Sequence, residues 1–319
     1  MKRIIILLII SYSTSFLAQE TTRSTSKDSL LIIDQDPDKG FYSNYLLFIP
    51  KGTPQHQTSY LLVEPNNTGK TSDTLEVHTA YAIDLASVNS IGNNIASMLK
   101  IPLLVPIFPR PDAQPLLYTH ALDRDVMLEQ TPIYKRLDLQ LLAMIDDART
   151  ILKGMHISTH DQLFMNGFSA SATFINRFSF IHPETIKAMA MGGFNGELML
   201  PQNKIDSAEL NYPLGINDFE ELLNKKFDKE QYQNIAQYIY MGALDDNDAV
   251  QYDDAYSDSE RHLINKHIGS NVQERYGHCQ TLYIENGITA IFKTFDNVGH
   301  WTTSEMNLAT INFFLKQME

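Results

Sequence analysis

The chain contains one cysteine, Cys279, one tryptophan, Trp301, and no apolar run long enough to cross a bilayer stably. A lone thiol forbids an intrachain disulfide, so the folded state must rest on a packed core. About 300 residues is ample for that and typical of one large α/β domain. No Pro- or Gly-rich linker, long charge run or internal repeat divides the sequence. Clusters of Lys and Arg are also missing: 25 basic residues stand against 38 acidic ones, for a formal charge of −13. That balance argues against nucleic acid and against an anionic membrane surface as partners.

The first residues, "MKRIIILLIISYSTSFLAQE", combine a basic start (Lys2, Arg3), an apolar run from Ile4 to Ile10 and small polar residues before Ala18. This is the pattern of a secretory signal peptide over 1–18, with cleavage expected after Ala18 and a periplasmic or secreted destination. Its removal takes away the two positive charges of Lys2 and Arg3 and moves the formal charge from −13 to −15. Residues 19–40 read as a polar leader, and 41–319 as one domain.

From about residue 40 onward, apolar runs alternate with helical patterns. "NYLLFIP" (44–50), "SYLLVEP" (59–65) and "IPLLVPIF" (101–108) are nearly continuous in apolar character, as expected of parallel strands covered on both faces. A helix fills roughly 79–99. A second runs from Pro132 to Lys153, capped by Thr131 and ended by Gly154. Leu137, Leu141, Met144, Ile145, Ala148 and Ile151 form its apolar face. Strands "QLFMNG" (162–167), "IKAMAMGGF" (186–194), "QYIYMG" (237–242) and "TAIFKTF" (289–295) follow, with helices near 170–181, after Asp253 and near 303–317. The more polar stretch 197–232 is expected as a small lid. The fold class is α/β, a doubly wound, mostly parallel sheet.

"NGFSASATF" (166–174) places Ser169 between a strand and a helix, with small residues Gly167 and Ser171 two positions to either side. A strained strand-to-helix turn requires small flanks because the backbone folds back on itself there. A serine hydroxyl needs a histidine to take its proton, and the histidine needs a carboxylate to fix its tautomer. "YIYMGALD" puts Asp245 just past a strand end, and "TFDNVGHW" puts His300 just past the last strand. Asp246 and Asp248 compete with Asp245, whose spacing from Gly242 favours it.

On these residues the chain resembles the α/β-hydrolase superfamily over roughly 40–317, nearer its secreted esterases and polyester-depolymerase-like members than its lipases. In that architecture the triad follows the chain order Ser169, Asp245, His300. The resemblance implies an acyl-enzyme on Ser169, with His300 as general base and Asp245 orienting it. It also implies an oxyanion hole of backbone N–H groups: Ala170 directly after the nucleophile, and Asn67, or alternatively Asn66, in "PNNTG". "PNNTG" stands where the family often carries a His-Gly run.

The connection 109–125 is long and irregular, which makes Tyr118, His120 and Arg124 candidate substrate contacts, with a structural loop the alternative. Trp301 either packs on substrate or fills core. The histidines of "HISTH" (156–160) sit in a surface loop rather than on a zinc-binding helix, and "DDNDAVQYDDAYSDSE" lacks the spacing of a calcium loop, reading instead as a solvated helix start. No metal and no organic cofactor is called for. The expected partner is a small-molecule or polymeric ester. A serine peptidase and a non-catalytic binding protein on the same fold are the competing readings. Oligomeric state is not legible.

Overall fold

A computed structural model describes residues 23–67, 69–87 and 90–319. The expected signal peptide, 1–18, lies outside them. Eight strands form the central sheet: β1 (Ser29–Ile33), β2 (Tyr45–Ile49), β3 (Leu62–Val63), β4 (Leu103–Pro106), β5 (Leu163–Phe168), β6 (Ile186–Gly192), β7 (Ala236–Gly242) and β8 (Ala290–Phe295). Their spatial order is β8-β7-β6-β5-β3-β4-β2-β1. All pairings from β4 through β3 to β8 are parallel, whereas β2 runs antiparallel to both β1 and β4. The expected doubly wound, mostly parallel sheet is therefore present.

Alternate side chains of each strand enter two separate cores, as the period of two dictates. Tyr45, Leu47, Ile49, Val63, Leu104 and Met165 face α3 (Leu137–Gly154), α4 (Ala170–Ile181) and α5 (Val272–Glu285). Leu46, Phe48, Leu62, Leu103, Val105 and Phe164 face α1 (Leu75–Ser87), α2 (Ile91–Leu99) and α6 (Ser304–Gln317). Burial on both faces explains why β2 reads as continuously apolar, and why that reading carries no information about its direction.

The structure corrects several boundaries. The leader expected over 19–40 contains β1, an edge strand of the main sheet, and Arg23–Ser24, which pairs with Pro54–Gln55. The helix expected over 79–99 is two helices, because Ser90 starts a new one by accepting a bond from the Asn93 N–H. The helix expected from Pro132 begins at Leu137. Arg136 adopts the left-handed region (φ 48°), and Gln140 Nε2 donates to the turn carbonyls of Pro132 and Lys135. Residues 197–232, expected as a small lid, supply part of the main core. Leu198, Met199, Leu200, Leu210, Tyr212, Leu214 and Phe219 lie buried in the core shared with α4 and α5.

Candidate active site

Ser169 occupies the turn between β5 and α4 with φ 62° and ψ −132°, a conformation that costs a non-glycine residue roughly 1–3 kcal/mol. Close packing over-determines it. The Ser169 N–H donates to the carbonyl of Gly192 at 2.9 Å. A Cβ on Gly167 would stand 2.7 Å from the backbone of Ser171, so only glycine fits before the turn. After the turn, Ser171 Oγ accepts from the Phe168 N–H (2.9 Å) and lies 2.8 Å from the Phe168 carbonyl, tying α4 back to the strand.

His300 follows β8. Its Nε2 lies 3.1 Å from Ser169 Oγ, and its Nδ1 lies 3.1 Å from both carboxylate oxygens of Asp245. With Nδ1–H donating to the carboxylate, Nε2 carries the lone pair facing the serine. Asp245 is buried just past β7, where its Oδ1 accepts from the Asn247 N–H (3.1 Å) and Gln273 Nε2 donates to its carbonyl (2.8 Å). The two competing carboxylates are placed differently. Asp248 pairs with the buried Arg275 at 2.5 Å, and Asp246 makes no contact with His300 among the described residues.

Two cavities meet at Ser169. An open cleft of about 810 Å³ is bordered by Ser169, His300, Asn67, Arg110, Tyr118 and Tyr252. A smaller pocket of about 30 Å³ shares Tyr118, Ser169, Asn247 and Ala249 with the cleft and is lined further by Ala170, Thr173, Arg177, Asn195 and Tyr256. Neither is lined by residues 197–232. The walls come instead from 110–121 and from 247–256, the latter inside the acidic stretch expected to open a helix. That helix starts only at Asp258, capped by Ser257.

Ala170 is the first residue of α4, and such N–H groups have no acceptor within a helix. Asn67 borders the cleft, while Asn66 is fully buried with its side chain bonded in both directions to the Phe108 backbone (2.9 and 3.1 Å). Tyr118 lines both cavities and stacks under Arg110, whose guanidinium carbon is 3.7 Å from the ring centroid and pairs with Asp254. His120 is not a substrate contact. It is fully buried, bonded at 2.8 Å to the Phe108 carbonyl, and burial depresses its pKa to about 3, which keeps it neutral. Arg124 pairs with Asp218 at 2.7 Å and borders neither cavity. Trp301 is 55% exposed, so it fills no core, and it lines neither cavity.

Sequence reasoning missed Arg110, Asn247, Tyr252, Tyr256 and Arg177. Asn247 Nδ2 stands 3.2 Å from His300 Nε2. Its position two residues after Asp245 was the one available signal. Among the described residues no cluster of His, Cys, Asp or Glu is arranged to hold a metal ion, and no helix is long and apolar enough to cross a membrane.

No protein-family model and no curated protein matches the sequence. Solved structures do match the fold. Poly(aspartic acid) hydrolase-1 from Sphingomonas sp. KT-1 aligns with TM-score 0.58 and 14% identity, over 91% of this chain and 98% of that one. LpqC, a poly(3-hydroxybutyrate) depolymerase from Bordetella parapertussis, aligns with TM-score 0.51 and 14% identity, over 92% and 90%. An S-formylglutathione hydrolase from Agrobacterium tumefaciens aligns with TM-score 0.50 and 11% identity, over 93% and 96%. The chain has the α/β-hydrolase fold.

Proposed function

We propose that the protein is an exported serine hydrolase that cleaves carboxylic esters through an acyl-enzyme on Ser169. One observation carries the reading: an unbroken hydrogen-bonded path from the buried Asp245 through His300 to a serine held in a strained turn. Fold alone would not suffice, because the same fold hosts many activities.

In this reading, Ser169 Oγ attacks the ester carbonyl as His300 Nε2 takes its proton. The tetrahedral oxyanion receives hydrogen bonds from the N–H groups of Ala170 and Asn67, each such donor being worth about 3–4 kcal/mol of barrier. His300 then protonates the alkoxide as the C–O bond breaks. A water molecule, deprotonated by the same imidazole, releases the acid and restores the serine. Asp245 keeps the imidazole in the required tautomer and stabilises its cationic form. Export rests on Lys2, Arg3 and the apolar run Ile4–Ile10.

The test is hydrolysis of a chromogenic short-chain ester, with and without a fluorophosphonate. Stoichiometric loss of activity and a mass adduct on Ser169 are expected. Full activity in Ser169→Ala would overturn the proposal.

A further inference from the structure

Two arginines are almost completely buried, Arg177 and Arg275, and they are treated differently. Arg275 is neutralised by Asp248 at 2.5 Å. Arg177 has no carboxylate within ion-pair distance among the described residues. Its Nη1 donates to the Ala121 carbonyl and its Nη2 to Tyr256 Oη, each at 3.0 Å. A guanidinium carries five N–H donors, so three are left without a protein acceptor among those residues. Burying a charge this way costs several kcal/mol unless something else completes the site.

Arg177 lies two helical turns beyond Ser169 on α4, on the face that also carries Ala170 and Thr173, and all four residues line the smaller pocket. Asn195 completes its polar wall. Asn195 Nδ2 donates to Tyr256 Oη at 3.0 Å, while its Oδ1 is buried without a partner. The nearest acids, Glu197 and Asp123, favour the charged guanidinium through space, but neither bonds it directly. Glu197 is reached only through Tyr256 Oη (2.7 Å), and burial pushes its carboxyl up, as it pushes Asp123 up to about 7.

The division of the site follows from proton transfer. The leaving alkoxide takes its proton from His300 Nε2, and His300 borders the larger cleft but not the smaller pocket. The alcohol therefore departs into the cleft, and the acyl chain points into the pocket. At about 30 Å³ that pocket has room for two or three water-sized groups.

We infer that the smaller pocket is the acyl site and that Arg177 selects short acyl chains bearing a second oxygen. This rests on the hydrolase reading and names its substrate class: esters of a small hydroxy or carboxy acid with an alcohol of any bulk the cleft admits. A hydroxyl and a carboxylate both supply the acceptor that the guanidinium lacks. A hydroxyl also donates to Asn195 Oδ1.

The experiment compares benzyl esters of three acids of equal heavy-atom chain length, butyric, 3-hydroxypropionic and malonic (as the half ester), on the wild-type protein. The expected result is a kcat/KM about tenfold to a hundredfold higher for an oxygen-bearing ester than for the butyrate. Which of the two leads distinguishes a neutral from an ionised partner. In Arg177→Met that preference should disappear, while Ser169 still reacts with the fluorophosphonate, which shows that the variant is folded. Butyrate cleaved as well as or better than both would overturn the inference and leave the hydrolase reading standing. Failure to cleave any ester, with no phosphonate adduct, would overturn both.

Discussion

A Cβ on Gly242 would stand 2.3 Å from the carbonyl oxygen of Val298. The end of β7 and the loop after β8 are thus in backbone contact, and the Leu244 N–H donates to that same carbonyl at 2.8 Å. The loop carrying Asp245 and the loop carrying His300 are interlocked through a point that admits no side chain.

Gly242→Ala is expected to push the His300 loop away from Ser169. Overpacking of this kind costs about 1–3 kcal/mol of stability, whereas displacing a catalytic group by about 1 Å costs on the order of 100-fold in rate. Ester kinetics beside a thermal melt will show activity falling far more than stability. Equal activity in the variant would mean that the contact positions nothing.

Asp245→Asn and Asp248→Asn separate chemistry from architecture. The first should lower kcat by about 10⁴-fold with the fold intact, because the amide favours the wrong imidazole tautomer. The second leaves the buried Arg275 unpaired, at a cost of about 3–5 kcal/mol, with its main effect on the melting temperature. The opposite pattern would assign the triad acid to Asp248.

Glu64 is buried at the carboxyl end of β3, where its Oε1 accepts from Asn166 Nδ2 at 3.0 Å, and burial pushes its pKa up to about 8. Between about pH 4.5 and 8 the folded protein therefore holds a proton that the unfolded chain has released. Stability from this group is complete below the unfolded value and is lost as pH rises through the folded one. Melting temperatures across that range should show the wild type weakening relative to Glu64→Gln, by an amount on the order of a few kcal/mol at the alkaline end. Parallel curves would show that Glu64 is ionised throughout.

Ser171→Gly would place the more usual glycine after the turn. The loss of the side-chain bonds to Phe168, together with a glycine inside a helix, should cost about 1–2 kcal/mol. Activity should remain within a few fold, because the turn itself is still sterically allowed. A large loss of activity at unchanged stability would show that Ser171 does more than hold α4 to β5.

Much of the frame was legible because its signals are local. Strands β2 to β8 are apolar runs, and α4 and α6 have clear ends. The edge strand β1 was read as leader because its short apolar run, 30–33, stands between polar flanks, 19–28 and 34–40. The core contribution of 197–232, expected as a small lid, was hidden for a related reason: its buried residues come in short groups, such as Leu198, Met199 and Leu200, separated by polar ones, and show no period. His120 was misread because its loop is irregular, although the residue itself is buried and bonded to the Phe108 carbonyl.

By itself, the sequence determined the alternation of elements, the small flanks around Ser169, and the positions of Asp245 and His300 just beyond strand ends, since local sterics and burial patterns are written residue by residue. Only the tertiary structure decided which acid faces the imidazole, that 110–121 and 247–256 wall the site, and that Arg177 is buried without a carboxylate. Those outcomes depend on which distant segments pack together, and no local pattern encodes that.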